Sequence, residues 1–180
     1  AKLLMQPLPT ILKREKHPVA SPVTSFRPVI ATKAKLLILG SMPGVKSLQE
    51  QQYYAHPRNA FWQIMSCLFG LDIEADYSYR LEQIQQHSIA LWDVAHQCIR
   101  PGSLDSDINR DSVIPNEISN LLKENPGIHT ICFNGQTAEK MFKRHFPDLH
   151  SSAKVSFITL PSTSPAHASL KFSEKLEAWH

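Results

Sequence analysis

Lys35-Leu36-Leu37-Ile38-Leu39-Gly40-Ser41-Met42-Pro43-Gly44 is the stretch on which the fold turns. Its unbroken apolar run reads as a strand buried on both faces, the kind found in parallel sheets. Two glycines and a proline then enforce a tight turn. Working outward, Phe61, Ile64, Met65 and Leu68 predict a helix over residues 60–68, and Tyr77, Leu81 and Ile84 another over 77–87. Residues 89–94 read as a strand, 105–111 as a polar loop, and 117–124 as a helix ended by Pro126-Gly127. A strand over 128–133 closes at Asn134-Gly135, a helix covers 137–146, and 154–160 is the fourth strand. A last helix follows residues 161–165 and runs to about Trp179. Alternating strands and helices predict an α/β fold, a three-layer α/β/α sandwich around a four-stranded parallel sheet. Ligands of such sheets lie beyond the strand C-termini, which singles out residues 40–44, 92–93, 134–135 and 161–167.

The chain has 180 residues, 42% apolar and 19% charged, enough for one domain with a real core. No apolar run nears the roughly 18 residues of a membrane span, and Pro7 and Pro9 interrupt any signal-peptide core. Cys67, Cys98 and Cys132 are odd in number and form no CxxC pair, as expected of buried thiols in a reducing compartment. A cytoplasmic location is expected. The net charge of +3 is uneven: residues 1–36 hold seven Lys/Arg against one acid, and the remainder twelve against fifteen. A basic arm on a mildly acidic body suits phosphate, though a solvated tail would look the same. Five prolines between residues 7 and 28 predict an extended segment that wraps the body or stays mobile. Walker-type GK[ST], HExxH and GxSxG patterns are absent, and the nine histidines are scattered, so neither metal nor cofactor is expected.

Four segments could carry chemistry. The turn of Gly40, Ser41, Met42, Pro43 and Gly44 could aim backbone N–H groups at an anion or carbonyl oxygen, or simply end a strand. In Tyr53-Tyr54-Ala55-His56-Pro57-Arg58-Asn59-Ala60-Phe61-Trp62, an aromatic could stack on a base and Arg58 could meet phosphate. There Asn59 is either a helix cap or a site residue, His56 either a turn residue or a ligand contact, and Phe61 and Trp62 belong to the core. Ser162, Thr163, Ser164, Pro165, Ala166 and His167 cluster small hydroxyls at a predicted helix start, suited to phosphate oxygens. Asp93 closes an otherwise apolar strand, as loop anchor or site residue. Asn134 reads most simply as the cap of the helix beginning near Thr137.

Together these blocks resemble the uracil-DNA glycosylase superfamily. The first two are similar to the G-I-N-P-G and F-A-H-P-x-N-x-F-W segments of its mismatch-specific members. The closer likeness is to the hypoxanthine-DNA glycosylase branch, also called DNA-deoxyinosine glycosylase, which reads G-S-F/M-P-G, Y-Y-x-H-P-R-N-x-F-W and S-T-S-P-A-N. Leu91-Trp92-Asp93-Val94 and Arg100-Pro101-Gly102-Ser103-Leu104-Asp105-Ser106 also look like that branch. The likeness runs from about Ser25 to the C-terminus, which divides the chain into a Pro-containing basic arm, 1–24, and a single catalytic domain, 25–180.

The resemblance implies an enzyme that excises a deaminated base, hypoxanthine first and xanthine or uracil after it, by hydrolysing its N-glycosidic bond in base excision repair. It implies that Asn59, the asparagine of H-P-R-N, is catalytic as in the hypoxanthine branch, while Met42 stands where mismatch-specific relatives carry their water-positioning asparagine. Tyr54 falls at the aromatic that stacks on the flipped base, while residues 40–44 and Asp93 would line the base pocket. Arg58, Ser162, Thr163, Ser164, Pro165, Ala166 and His167 would hold DNA, with His167 standing where that branch has asparagine. No lysine lies in the matched blocks, so a monofunctional enzyme is expected. The partner would be DNA bearing a deaminated base, the protein a monomer. A catalytically silent DNA-binding module and a small-molecule nucleotide hydrolase are the rival readings.

Overall fold

The computed structural model describes residues 20–180. Strands β1 (Pro22–Thr24) and β2 (Leu36–Gly40) are followed by helices α1 (Val45–Glu50), α2 (Phe61–Phe69) and α3 (Tyr77–Gln86). Then come β3 (Ile89–Asp93), β4 (Ala95–Ile99), β5 (Ile114–Pro115), α4 (Ile118–Glu124) and β6 (Thr130–Asn134). Helices α5 (Gln136–His145) and α6 (Pro147–His150), strand β7 (Ser156–Leu160) and helix α7 (Phe172–Trp179) complete the order.

The expected four-stranded parallel sheet is present, in the order β3-β2-β6-β7. Side chains alternate across a strand, so each inner strand feeds two cores. Leu37, Leu39, Ala90, Trp92, Ile131 and Phe133 join Ile118 and Leu121 of α4 and Ala138, Met141 and Phe142 of α5. Ile38, Ile89, Leu91 and Cys132 join Phe61, Ile64 and Met65 of α2, Ile84 of α3 and Trp179 of α7. Two apolar faces with helices against each make the three layers, as the unbroken Leu36–Leu39 run predicts.

The structure departs from the sequence reading in several places. Strands β1, β4 and β5 form a second, antiparallel sheet in the order β1-β4-β5. These strands are short and carry no apolar run, so only their pairing defines them. Residues 105–111, expected as a plain loop, contain 3-10 turns at Asp105–Asp107 and Arg110–Ser112. The last helix starts at Phe172, and residues 161–171 form an irregular loop, so the hydroxyl cluster does not open a helix. The expected arm lies mostly outside the described residues, and of its final part Pro22–Thr24 pair with Gln97–Ile99 of β4.

Chain connections leave β2 toward β3 on one side, and β6 joins β2 on the other. The loops after β2 and β6 therefore diverge, which opens a crevice at the carboxyl end of the sheet.

Candidate active site

A cleft of about 1180 Å³ occupies that crevice. Gly40, Ser41, Met42, Pro43, Gly44, Tyr54, Arg58, Asn59, Asp93, Ser162, Thr163, Ser164, Pro165, Ala166 and His167 all line it. The fold thus gathers every site residue expected from the sequence, although they come from four separated segments.

The floor is built at the ends of β2 and β3. Asp93, the last residue of β3, is 3% exposed, and its Oδ2 has no hydrogen-bond partner among the described residues. The carboxyl lies over the end of β2: a Cβ at Gly40 would stand 2.7 Å from Asp93 Oδ1, so this close approach requires glycine. Burial, with Asp105 adding repulsion and Arg100 partly offsetting it, pushes the Asp93 carboxyl up to about 8. The buried Tyr54 hydroxyl is also unpartnered, and burial followed by the Asp93 charge pushes it far above the usual phenol range.

The turn after β2 is clasped from outside by residues 100–107. Arg100 Nη2 donates to the Pro43 carbonyl at 2.6 Å and Nη1 to that of Met42 at 3.5 Å. Ser41 Oγ donates to Asp105 Oδ1 at 2.6 Å, and the Val45 N–H donates to Ser103 Oγ at 3.1 Å. With its carbonyls drawn back toward a buried guanidinium, the turn is held rigid where it borders the cleft. The Met42 side chain packs into the α4/α5 core. Arg100 appeared in the sequence only as part of a motif; its signal was an arginine directly after an apolar strand end.

The aromatic block divides its residues between core and cleft. Tyr53 is pinned inside: its hydroxyl donates to the Arg27 carbonyl at 3.0 Å, and its own carbonyl accepts from Trp62 Nε1 at 3.0 Å. Tyr54 follows with φ 56°, a left-handed backbone, and itself lines the cleft. Its ring stacks on Phe61 with centroids 4.0 Å apart. Asn59 Oδ1 accepts from the Phe61 N–H at 2.9 Å, so the residue caps the first turn of α2 and still lines the cleft. The cap and site readings of Asn59 are therefore compatible. His56 Nδ1 accepts from the Arg58 N–H at 3.1 Å, which fixes the turn and leaves Arg58 exposed at the rim.

The far wall is the loop after β7. Asn134 does not cap α5, whose first turn has Gly135 before it and no side-chain cap. Its carboxamide instead grips Thr163 twice: Nδ2 donates to Thr163 Oγ1 and Oδ1 accepts from the Thr163 N–H, both at 2.9 Å. Thr163 is 1% exposed, so its hydroxyl is a strut and not a free phosphate ligand. Ser162 Oγ accepts from the Ser164 N–H and Ser164 Oγ from the Ala166 N–H, both at 3.2 Å. Behind the loop, the buried Lys175 donates to the Ser164 carbonyl at 3.3 Å, and burial pushes its ammonium below the usual range. The Ala60 N–H donates to the Thr163 carbonyl at 3.0 Å, tying this wall to the segment bearing Asn59.

No group of His, Cys, Asp and Glu able to hold a metal ion is found among the described residues. None of their helices is long and apolar enough to cross a membrane.

Comparison with known proteins places this geometry in context. The family profile described as the uracil DNA glycosylase superfamily matches residues 28–180. A protein named hypoxanthine DNA glycosylase from Methanosarcina barkeri is 34% identical over 147 residues, covering 81% of this chain and 89% of the relative. A second of that name, from Methanosarcina acetivorans, is 33% identical over 154 residues, covering 85% and 92%. The solution NMR structure of a uracil DNA glycosylase candidate from Methanosarcina acetivorans superposes with a TM-score of 0.72 at 30% identity, over 88% of this chain and 97% of that one.

Proposed function

The chain belongs to the uracil DNA glycosylase superfamily, and from that premise we propose that it is a monofunctional DNA glycosylase acting on deaminated bases, hypoxanthine foremost. The observation that carries this reading is the convergence of Tyr54, Asn59 and Asp93 with the Gly40 turn in one cleft at the sheet's carboxyl end. The two Methanosarcina relatives named for hypoxanthine support the choice of base.

A base within a duplex is out of reach, so the nucleotide flips out at a cost of a few kcal/mol. Arg58, Ser162 and Ser164 face the flanking phosphates from two sides of the cleft, and Pro165, Ala166 and His167 prop the vacated stack. The base enters beside Tyr54, with the backbone of residues 40–44 along its carbonyl edge. As the C1′–N bond breaks, its electron pair leaves with the base and the sugar acquires oxocarbenium character. Asn59 is no base at neutral pH, and Oδ1 already accepts one bond from the Phe61 N–H. Its second lone pair and its NH2 group orient a water, which suffices because a cationic sugar needs only a weak nucleophile. Water adds to C1′ and releases a proton, leaving an abasic site and the free base, the first step of base excision repair. Lys46, a lysine on the cleft wall, is half exposed and paired with Glu50, which suits hydrolysis better than Schiff-base chemistry.

Single-turnover cleavage of duplexes bearing one hypoxanthine, xanthine or uracil, followed by alkali, tests this. Strand breaks should appear only after alkali, fastest for hypoxanthine, and Asn59→Ala should slow them at least about 100-fold, roughly 2.7 kcal/mol of barrier. Intact DNA binding without cleavage of any of the three would leave a silent binding module instead.

A further inference from the structure

Asp93 holds a carboxyl group where an ionised one has no support. It is 3% exposed, its Oδ2 has no partner among the described residues, and it lies at the floor of the cleft against Gly40. The groups facing it are the phenols of Tyr53, Tyr54 and Tyr77, the Asp105 carboxylate and the Arg100 guanidinium. The Tyr53 hydroxyl is committed to the Arg27 carbonyl, that of Tyr77 accepts from the Tyr53 N–H, and that of Tyr54 bonds to neither Asp93 nor any other described residue, so no phenol supplies a bond or a counter-charge to this carboxyl. Arg100 spends its Nη groups on the Met42 and Pro43 carbonyls, and Asp105 accepts from Ser41. A carboxylate here would be buried beside a second carboxylate with no bonded counter-charge, an arrangement that neutralises itself by holding a proton.

We propose that Asp93 works as an undissociated carboxylic acid that donates its O–H to the carbonyl oxygen of the flipped base and so stabilises the negative charge that base carries as it leaves. The inference rests on the glycosylase reading above and deepens it. The base class is one with a carbonyl beside a ring N–H, as in hypoxanthine, xanthine and uracil, whose N–H the second Asp93 oxygen accepts. When the glycosidic bond breaks, the electron pair spreads from the leaving nitrogen toward that carbonyl oxygen, and the Asp93 hydrogen bond strengthens as it does. A carboxylate at the same place would repel the departing base. The acid keeps its proton, and the released base takes one from solvent. The upward displacement of the Asp93 carboxyl to about 8 accords with this state at neutral pH.

The test is the pH profile of single-turnover cleavage of a hypoxanthine duplex by wild type, Asp93→Asn and Asp93→Ala. The wild-type rate should fall about tenfold per pH unit above the carboxyl's midpoint. Asp93→Asn supplies an amide N–H that does not titrate, so it should cleave within about tenfold of wild type at pH 7 and lose that decline. Asp93→Ala should be at least about 100-fold slower throughout. Because the asparagine variant meets the same substrate, it separates ionisation of the base from ionisation of Asp93. The proposal is overturned if Asp93→Asn is as slow as Asp93→Ala, if both retain the decline, or if wild type speeds up with pH. If wild type cleaves no modified duplex at any pH, the glycosylase reading itself fails and takes the proposal with it.

Discussion

Asp93 and Asn59 are both short polar residues at the junction of a regular element and the cleft, yet the fold treats them in opposite ways. Asn59 has its carbonyl oxygen engaged by the Phe61 N–H, so a local helix end already takes one of the four hydrogen bonds its carboxamide can make. Asp93 has no partner at Oδ2 among the described residues, and burial pushes its carboxyl up. That displacement has a thermodynamic consequence. The unfolded chain ionises this group near its ordinary value of 3.8, whereas the folded protein keeps the proton to about 8. Between those values the native state binds more protons than the unfolded one, so stability falls with rising pH, by up to about 1.4 kcal/mol per unit, and levels off above 8. Asp93→Asn should therefore raise the denaturation midpoint at pH 8 more than at pH 5. An equal gain at both would mean that Asp93 ionises normally in the fold. Both residues were named from the sequence as candidates, but neither of their alternatives could be closed there. A cap and a site residue are the same residue type, and an apolar strand end does not reveal what will stand opposite it.

At the scale of elements, the loop after β7 shows how far a local pattern can mislead. Ser162, Thr163, Ser164 and Pro165 have the composition of a helix start, yet α7 begins only at Phe172. What orders the loop is a carboxamide from a different strand: Asn134, at the end of β6, holds Thr163 by two bonds. Gly135 makes the approach possible, since its φ is 98° and a Cβ there would meet the Ser162 Cβ at 3.0 Å. Asn134→Ala should leave the Thr163 N–H and hydroxyl buried without partners, costing about 2–4 kcal/mol in chemical denaturation. If the loop meets the DNA backbone as proposed, the change should also weaken binding to an abasic-site duplex while the affinity for free base is kept. Equal stability in both proteins would show that the loop is ordered without this contact. The antiparallel sheet of β1, β4 and β5 escaped sequence reading for a related reason. Strands of two to five residues with mixed burial carry no period of their own, and only their neighbours make them strands.

On the scale of the whole molecule, charge and topology act on separate parts of the chain. Residues 37–180 carry twelve basic and fifteen acidic side chains, and residues 1–36 carry seven and one. Attraction to a polyanion must then come from a few cations beside the cleft and from the N-terminal stretch. Replacing Lys13, Arg14 and Lys16 together by glutamine should make the salt dependence of DNA binding shallower, by a slope of roughly one to three. Fluorescence anisotropy between 50 and 200 mM salt (about the range where such slopes are read) would measure it, and an unchanged slope would show that these residues take no part. The parallel sheet, the helices on its two faces and the family blocks were legible in the amino-acid sequence, as was the set of residues that line the cleft. Unbroken apolar runs and helical spacing are local signals, and each site residue sits in a distinctive short segment. What those residues do to one another came from contacts made in the folded chain: Arg100 draws back the Met42 and Pro43 carbonyls, Thr163 is spent as a strut, and Asp93 Oδ2 finds no partner among the described residues beside Gly40. Burial and pairing depend on groups far apart in the chain, and a proton's place on a carboxyl depends on both.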